Sequence, residues 1–529
     1  MLNNKQIQIY DTTLRDGSQM HGISFSVADK IKIAQLLDEL GVAYIEGGWP
    51  GANPKDVEFF EQARQLPLKQ AKLVAFGSTR RANSPNCEED SVVQALLAAN
   101  TDVITIVGKS WDLHVEEALR TTLDNNLQMI ADTITYLKKQ GKEVIFDAEH
   151  FFDAYTDNAS YALQVLETAL EAGIDTIVLC DTNGGSLPDD IEKVVLAILQ
   201  KFPHAKLGIH AHNDGALAVA NSLAAVKAGV IQVQGTINGY GERCGNADLV
   251  SIIANLQLKM SLLALPSQEH LSKLSKISHL VSEIANLNPN GQHPFVGRFA
   301  FTHKGGLHAS AMQRNRTTYE HIDPSLVGNK SRIVVSEQAG LSNIMDFAIS
   351  RGLDLGADKR RITQELLVEI KEKEYAGYQF EQAGASLELL FLKKLDKRKK
   401  FFEVLDFRVF ASYDSFAEAT VQVKIGDKTL HTASLGVGPG HALDNALRKA
   451  LSNYYETIKS FRLTDFKVRV VDSHDGTAAK TRVNAEMDNL GLKWNTVGLH
   501  ENILQATFQA ISESIEYGLY ITSTQSPQF

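Results

Sequence analysis

The feature that most constrains this fold is an alternation of short β-rich runs with amphipathic helical runs, which continues from Ile7 to about Met260. Each strand-like run comes before a helical pattern, and helical patterns ending at Gly41 and Gly229 close on a residue that suits a left-handed cap. Eight such units of roughly 30 residues predict a (β/α)₈ TIM barrel of about 250 residues. The strand-like runs are IQIYDTT, AYIEGG, KLVAFGS, VITIVGK, EVIFDAEH, TIVLCDTNG, KLGIHAHND and IQVQGTING.

A doubly wound open sheet would show the same alternation of strands and helices. The first strand-like run is not followed by the GxGxxG pattern of dinucleotide-binding sheets, which favours the barrel. Polar residues able to do chemistry also stand at the carboxyl end of nearly every strand-like run, where such barrels hold their active sites.

Beyond the barrel the pattern changes, and a chain of 529 residues is too long for a single core. We predict a catalytic barrel domain over 1–265, helical linker subdomains over 266–395 and a compact α+β domain over 396–529. The last region contains two amphipathic helical runs and the strand-like runs FEVLDFRVFAS, EATVQVKIG, TLHTASLG and FKVRVVDS. No strong internal repeat is visible in the sequence.

Composition excludes some partners. The 53 basic and 63 acidic residues give a formal charge of −10, which disfavours nucleic acid or an anionic membrane as the main partner. No apolar run has membrane-spanning length and no signal pattern precedes the first strand. The cysteines are odd in number and widely separated, at Cys87, Cys180 and Cys244, which predicts a reduced, cytoplasmic protein.

Four short segments predict a divalent-metal site: DTTLRDGSQ, AEH, HAH and GYGERCGNADL. His210 and His212 are two positions apart on one strand, so both imidazoles point to the same side of the sheet. Asp16 supplies a hard oxygen ligand just after the first strand, and Asn246 supplies another directly or through water. Mixed His, Asp and Asn ligation suits Mn²⁺, Zn²⁺ or Co²⁺, with Mg²⁺ as an alternative.

A cation with open positions can hold an α-keto acid by its keto and carboxylate oxygens and polarise the carbonyl. Arg15, next to Asp16, is placed to stabilise negative charge developing on that carbonyl oxygen. A salt bridge within the barrel end is the alternative role for this arginine. The segments together predict a reaction in which a carbanion adds to, or leaves from, a metal-bound keto acid.

The DTTLRDGSQ, HAHND and GYGERCGN segments resemble those of the 2-isopropylmalate, homocitrate and citramalate synthase family, and the resemblance covers nearly the whole chain. It implies a metal-dependent barrel that uses acetyl-CoA as a co-substrate. It implies Asp16, His210 and His212 as metal ligands, with Asn246 as a near or weaker ligand. It also implies Arg15 as the residue that polarises the carbonyl.

The resemblance carries four further residues to this chain. Thr182, in CDTNG, matches a contact to the carboxylate of the keto acid, and Glu149, in AEH, matches a glutamate near the acetyl group. His308 and Tyr319 match a His/Tyr pair that the family donates from one subunit into the barrel of its partner. The resemblance therefore implies a homodimer.

Within the family, IEGGWPGANPKD and FDAEHFFDAY are most similar to the citramalate synthase branch. Trp49-Pro50 and Ala309-Ser310 depart from the pattern usual in 2-isopropylmalate synthases. We therefore expect condensation of acetyl-CoA with pyruvate to citramalate and CoA, on a route to isoleucine. The alternatives are another 2-oxo acid, as in 2-isopropylmalate or homocitrate synthases, a metal-dependent carbon–carbon lyase, and a catalytically idle binding protein.

The segment SLGVGPGHALDNAL, from Ser434 to Leu447, is similar to the regulatory domain of the same family, which senses an amino acid as a dimer. The resemblance implies isoleucine as the effector. Taken without the resemblance, GVGPG is a glycine loop entering a helix, which either binds an anion such as a carboxylate or only makes a turn.

Overall fold

The structure is a computed structural model that describes residues 6–411, 413–471 and 476–524. The chain forms two compact units. The first unit comprises Met1–Phe301 and Glu320–Ser331, and the second comprises Thr302–Tyr319 and Arg332–Phe529. Among the described residues, no helix is both long and apolar enough to cross a membrane.

The first unit is built on a closed barrel of eight parallel strands that follow one another in chain order. The barrel closes where the first strand pairs with the last, with Tyr10 opposite Gln234. This confirms the predicted TIM barrel and all eight strand-like runs. The strands are β1 (Gln8–Asp11), β2 (Tyr44–Gly48), β3 (Lys72–Ser78), β4 (Val103–Lys109), β5 (Glu143–Glu149), β6 (Thr176–Asp181), β7 (Leu207–Ala211) and β8 (Gln232–Gly235).

Helices surround the barrel, and local capping explains where the first of them begins and ends. Ser26 and Asp29 form a reciprocal capping box at its start, and Gly41 ends it in the left-handed conformation with φ 89°. The helices of the unit are α1 (Val27–Leu40), α2 (Pro54–Ala63), α3 (Ser91–Ala98), α4 (Asp112–His114), α5 (Leu123–Lys139), α6 (Phe151–Glu171), α7 (Pro188–Lys201), α8 (Ala218–Ala228), α9 (Leu249–Leu258), α10 (Gln268–Leu271) and α11 (Leu274–Ile284).

The inward-facing side chains of the barrel change from apolar to polar along each strand. Tyr44, Val103, Ile145 and Val178 belong to one buried apolar cluster. Because side chains alternate along a strand, the residues two positions further on face the same way. Those residues are polar or sulfur-bearing: Glu46, Thr105, Asp147 and Cys180. The strand sequences thus build an apolar floor beneath a polar mouth.

The second unit begins with a two-stranded parallel sheet and a group of helices that pack on a separate apolar cluster. That cluster includes Ile344, Leu366, Ile370 and Phe391, all fully buried. The elements are β9 (Thr302–His303), α12 (Gly306–Arg314), β10 (Arg332–Ile333), α13 (Leu341–Ser350), α14 (Lys359–Tyr375) and α15 (Gly384–Lys394).

The rest of the second unit consists of two successive modules, each a three-stranded antiparallel sheet followed by a helix. The duplication is visible in the structure although the sequence shows no strong repeat. Four of the six strands were predicted, but the ends of two predicted runs, Ser412 and 472–473, lie outside the described residues. The elements are β11 (Glu403–Phe410), β12 (Ala417–Ile425), β13 (Lys428–Gly436), α16 (Pro439–Leu451), β14 (Arg462–Val470), β15 (Thr481–Asn489), β16 (Leu492–His500) and α17 (Ile503–Thr524).

Candidate active site

The four predicted metal ligands meet at the carboxyl end of the barrel. His210 lies near the end of β7, and His212 follows that strand and forms an isolated bridge with Asn246. Asp16 begins the short turn after β1. All four side chains are buried, with at most 6% of any residue exposed. Barrel closure therefore brings together residues that are far apart in the chain.

The distances among these side chains suit a shared cation. The Nε2 atoms of His210 and His212 are 3.3 Å apart, and Asp16 Oδ2 is 3.3 Å from the first and 4.0 Å from the second. Ligand atoms each about 2.0–2.2 Å from one metal ion lie roughly 3–4 Å from one another. The three ligand atoms thus have the separation of a first coordination shell.

Asn246 provides an independent sign that a cation fits here. Its Nδ2 atom lies 2.8 Å from Asp16 Oδ2 and 3.2 Å from His210 Nε2, while its buried Oδ1 has no hydrogen-bond partner among the residues that the structure describes. A buried carbonyl oxygen without a partner is costly. Reversing the amide would turn that oxygen towards Asp16, which is favourable only with a cation between the two oxygens. The donor set therefore fits a divalent metal ion.

Electrostatics favours the metal-binding protonation states of Asp16 and His212. Burial opposes the charge on Asp16, yet Arg15 and His210 hold the pKa of its carboxyl well below the usual range. Burial and the neighbouring His210 lower the pKa of His212 to about 3. Near neutral pH the site thus presents a carboxylate and at least one neutral imidazole, as metal binding requires.

Arg15 is held rigidly beside the metal ligands. Its Nε donates to Glu46 Oε1 at 2.6 Å, and its guanidinium carbon lies 3.9 Å from the centre of the Phe76 ring. Glu46 is fully buried, and its other oxygen accepts from the Tyr10 hydroxyl at 2.6 Å. Glu46 contacts one edge of the guanidinium and Phe76 contacts one of its faces. Together they fix the orientation of the remaining N–H groups of Arg15. The predicted salt bridge and the predicted oxyanion role are compatible, since Nη1 lies 3.5 Å from Asp16.

Glu149 and Thr182 lie at the ends of neighbouring strands. Glu149 forms an ion pair with Lys109, its register partner on β4. The Thr182 hydroxyl oxygen accepts the backbone N–H of His150 at 2.9 Å, so its hydrogen is available to another acceptor. His150 makes this bond from the left-handed region, at φ 54°, where a non-glycine residue is strained. Strain of this kind often accompanies a functional site.

His308 and Tyr319 come together in the second unit. Their rings stack with centres 4.1 Å apart and planes 28° from parallel. Both residues are exposed, and 45% of Tyr319 is accessible. The structure thus pairs the two residues with each other, and their predicted entry into a partner barrel stays a prediction.

Sequence reasoning missed the side chains that hold the ligands and Arg15. Glu46 anchors Arg15, while Gln234 contacts His210 and is itself bonded to Asp147. Burial raises the pKa of Asp147 to about 7. In the sequence, each of these polar residues stands at an inward-facing position near a strand end. That position does not identify the side chain to which the residue will hydrogen-bond.

Family comparisons agree with this architecture. The HMGL-like profile matches residues 6–281, a profile described as homocitrate synthase post-HMGL domain-like matches 295–374, and the LeuA allosteric (dimerisation) domain matches 381–519. The first match covers the barrel, and the last covers both sheet-and-helix modules except the final residues of α17.

Curated relatives span nearly the whole chain. An (R)-citramalate synthase of Aquifex aeolicus is 52% identical over 97% of this chain and 98% of the relative. An (R)-citramalate synthase of a Synechocystis species is 52% identical over 97% of this chain and 96% of the relative. A 2-isopropylmalate synthase of Methanocaldococcus jannaschii is 30% identical over 96% of this chain and 94% of the relative.

Proposed function

Since the chain belongs to the 2-isopropylmalate, homocitrate and citramalate synthase family of condensing enzymes, we propose that it joins acetyl-CoA to pyruvate, giving (R)-citramalate and CoA. The observation that carries the proposal is the buried Asp16, His210 and His212 group with the Arg15 guanidinium beside it. Pyruvate is favoured over larger keto acids because the chain is 52% identical to relatives named citramalate synthase and 30% identical to a 2-isopropylmalate synthase.

The condensation needs an electrophilic keto carbon and an acetyl carbanion. A divalent cation bound by Asp16, His210, His212 and Asn246 would supply Lewis-acid polarisation of the keto carbonyl. Arg15 donates hydrogen bonds towards the same oxygen and stabilises the negative charge that develops as the new carbon–carbon bond forms. Glu46 and Phe76 fix the guanidinium before substrate arrives, so little reorganisation is needed during the reaction.

Two further residues would contact the substrates in this proposal, as the family resemblance implies. Thr182 uses its oxygen to accept from His150, so its hydroxyl hydrogen can be donated to the carboxylate of pyruvate. Glu149 is paired with Lys109, and in this proposal it serves as a polar contact near the acetyl group. A base removes one methyl proton from acetyl-CoA, the carbanion attacks the keto carbon, and water cleaves the thioester to release CoA.

His308 and Tyr319 complete the site in this proposal by entering the barrel of a second subunit. Their stacked rings are exposed, which leaves them accessible to another chain. The match to a dimerisation domain over 381–519 supports an oligomer. So does strand β14, an edge strand whose residues are all exposed, including Phe466 and Val468.

The second unit would also carry the control of the enzyme. Its two sheet-and-helix modules coincide with the LeuA allosteric match, and an end-product amino acid is the ligand expected for such a domain. We propose isoleucine, because citramalate formation from pyruvate would supply the carbon skeleton of that amino acid. The protein would act as a cytoplasmic homodimer.

A free-thiol assay of CoA release tests the proposal. Acetyl-CoA is combined with pyruvate, 2-oxobutyrate, 2-oxoisovalerate or 2-oxoglutarate, and the highest kcat/KM is expected with pyruvate. A preference for 2-oxoisovalerate or 2-oxoglutarate would instead indicate a 2-isopropylmalate or homocitrate synthase. Cleavage of a hydroxyacyl-CoA without any condensation would indicate a lyase that uses the same site in reverse.

A further inference from the structure

A buried hydrogen-bonded chain crosses the barrel interior from β5 to the metal ligand on β7. His210 Nδ1 lies 2.8 Å from Gln234 Oε1, and Gln234 Nε2 lies 2.9 Å from Asp147 Oδ1. Gln234 is fully buried, with Asp147 at 3% and His210 at 4% exposure. These residues come from three different strands, so the chain exists only in the closed barrel.

The direction of each hydrogen bond follows from the chemistry of the groups. An ionised carboxylate only accepts, so Asp147 requires the NH₂ end of the Gln234 amide to face it. The carbonyl end of the amide then faces His210, and a carbonyl oxygen also only accepts. The proton of a neutral His210 must therefore sit on Nδ1, which leaves the lone pair on Nε2.

That lone pair is on the nitrogen that faces the other ligands, 3.3 Å from both Asp16 Oδ2 and His212 Nε2. The opposite tautomer would place a proton between these atoms and block coordination. We propose that Asp147, acting through the Gln234 amide, fixes the His210 tautomer and ring orientation and so sets the affinity of the metal site. Both residues are positioning residues, and the inference rests on the metal site of the proposed function.

The same strand offers a matched control. Gln232 is two positions before Gln234, so it faces the same side of β8, and it is equally buried. Its Nε2 makes a long 3.4 Å contact to Gln8, and its Oε1 has no partner among the described residues. Gln232→Met therefore makes the same chemical change one layer deeper in the barrel, away from His210.

The test measures Mn²⁺ binding to metal-free protein by electron paramagnetic resonance, well above neutral pH, with thermal unfolding as a check on folding. Because outer-shell partners typically contribute about 10–100-fold to metal affinity, Gln234→Met is expected to raise the Mn²⁺ Kd by about that factor. Gln232→Met is expected to leave the Kd unchanged.

Asp147→Asn provides a second route if Gln234→Met does not fold. An asparagine can present either end of its amide, so the Gln234 orientation is no longer dictated, and a smaller rise in Kd is expected. An unchanged Mn²⁺ Kd in folded Gln234→Met would overturn the positioning role and leave the metal site intact. If Gln234→Met does not fold, an unchanged Kd in folded Asp147→Asn would have the same meaning. Equal weakening in Gln232→Met would also overturn it. A wild type that binds no divalent cation would remove both the inference and the proposed metal site.

Discussion

Arg15→Lys separates the positive charge of this residue from the geometry of its donors. Lysine keeps the charge, but it lacks the planar fork that bonds Glu46 through Nε while presenting other N–H groups elsewhere. It also loses the stacking on Phe76, where the guanidinium carbon lies 3.9 Å from the ring centre. A lysine ammonium that stays with the buried Glu46 would leave the substrate oxygen without its donor.

The expected size of the effect follows from that loss. Removing one preorganised donor to a developing oxyanion typically costs roughly 2.7–4 kcal/mol, or about 10²–10³ in kcat. We therefore expect kcat for CoA release to fall at least about 10²-fold, with a smaller change in the KM for pyruvate, because the stabilisation belongs mainly to the transition state. Steady-state thiol assays over a range of pyruvate concentrations measure both parameters.

Arg80→Lys is the matched control. Arg80 is 5% exposed and has its own polar contacts, to Asp132 at 2.8 Å and to the carbonyls of Arg81 and Ser84. Its substitution should lower thermal stability without lowering kcat. An unchanged kcat in Arg15→Lys, or an equal loss in the control, would refute the transition-state role and leave Arg15 with a structural one.

Three further predictions concern the metal, the shared site and regulation. EDTA should abolish CoA release and Mn²⁺ or Mg²⁺ should restore it, while His212→Ala should lose most metal affinity in a titration yet keep its fold; full activity in thoroughly chelated protein would contradict this. Mixing inactive His308→Ala with inactive Arg15→Ala subunits should regain activity, because one site of each heterodimer is free of both changes; no recovery despite confirmed subunit exchange would place His308 in its own chain. Isoleucine should inhibit by roughly 5–150-fold, a coupling of about 1–3 kcal/mol, and a chain ending near Lys399 should lose that inhibition; calorimetry that finds no branched-chain amino acid bound would refute the sensor role.

Much of the fold was predictable because its signals are local. Strands and helices in the barrel differ in the period of their apolar residues, and caps such as Ser26 and Gly41 mark helix ends within a few residues. Two strands of the sheet-and-helix modules were missed although β15 buries Val483, Ala485 and Met487 in strict alternation. The predicted domain boundaries at 265 and 395 stay predictions.

The sequence by itself determined which residue types could bind a metal and polarise a carbonyl. HAH on a strand places two imidazoles on one side, and DTTLRDGSQ places a carboxylate and a guanidinium after another strand. The first conclusion depends on the alternation of side chains within one strand, and the second depends on a position just after a strand. Neither requires knowledge of the neighbouring strands.

Only the tertiary structure decided which side chains hold those groups in place. The bond from Arg15 to Glu46 spans 31 residues, that from His210 to Gln234 spans 24, and that from Gln234 to Asp147 spans 87. Such pairs depend on the register between strands and on where the barrel closes. No local pattern records that register, since hydrogen bonds across a barrel form only after the strands have assembled.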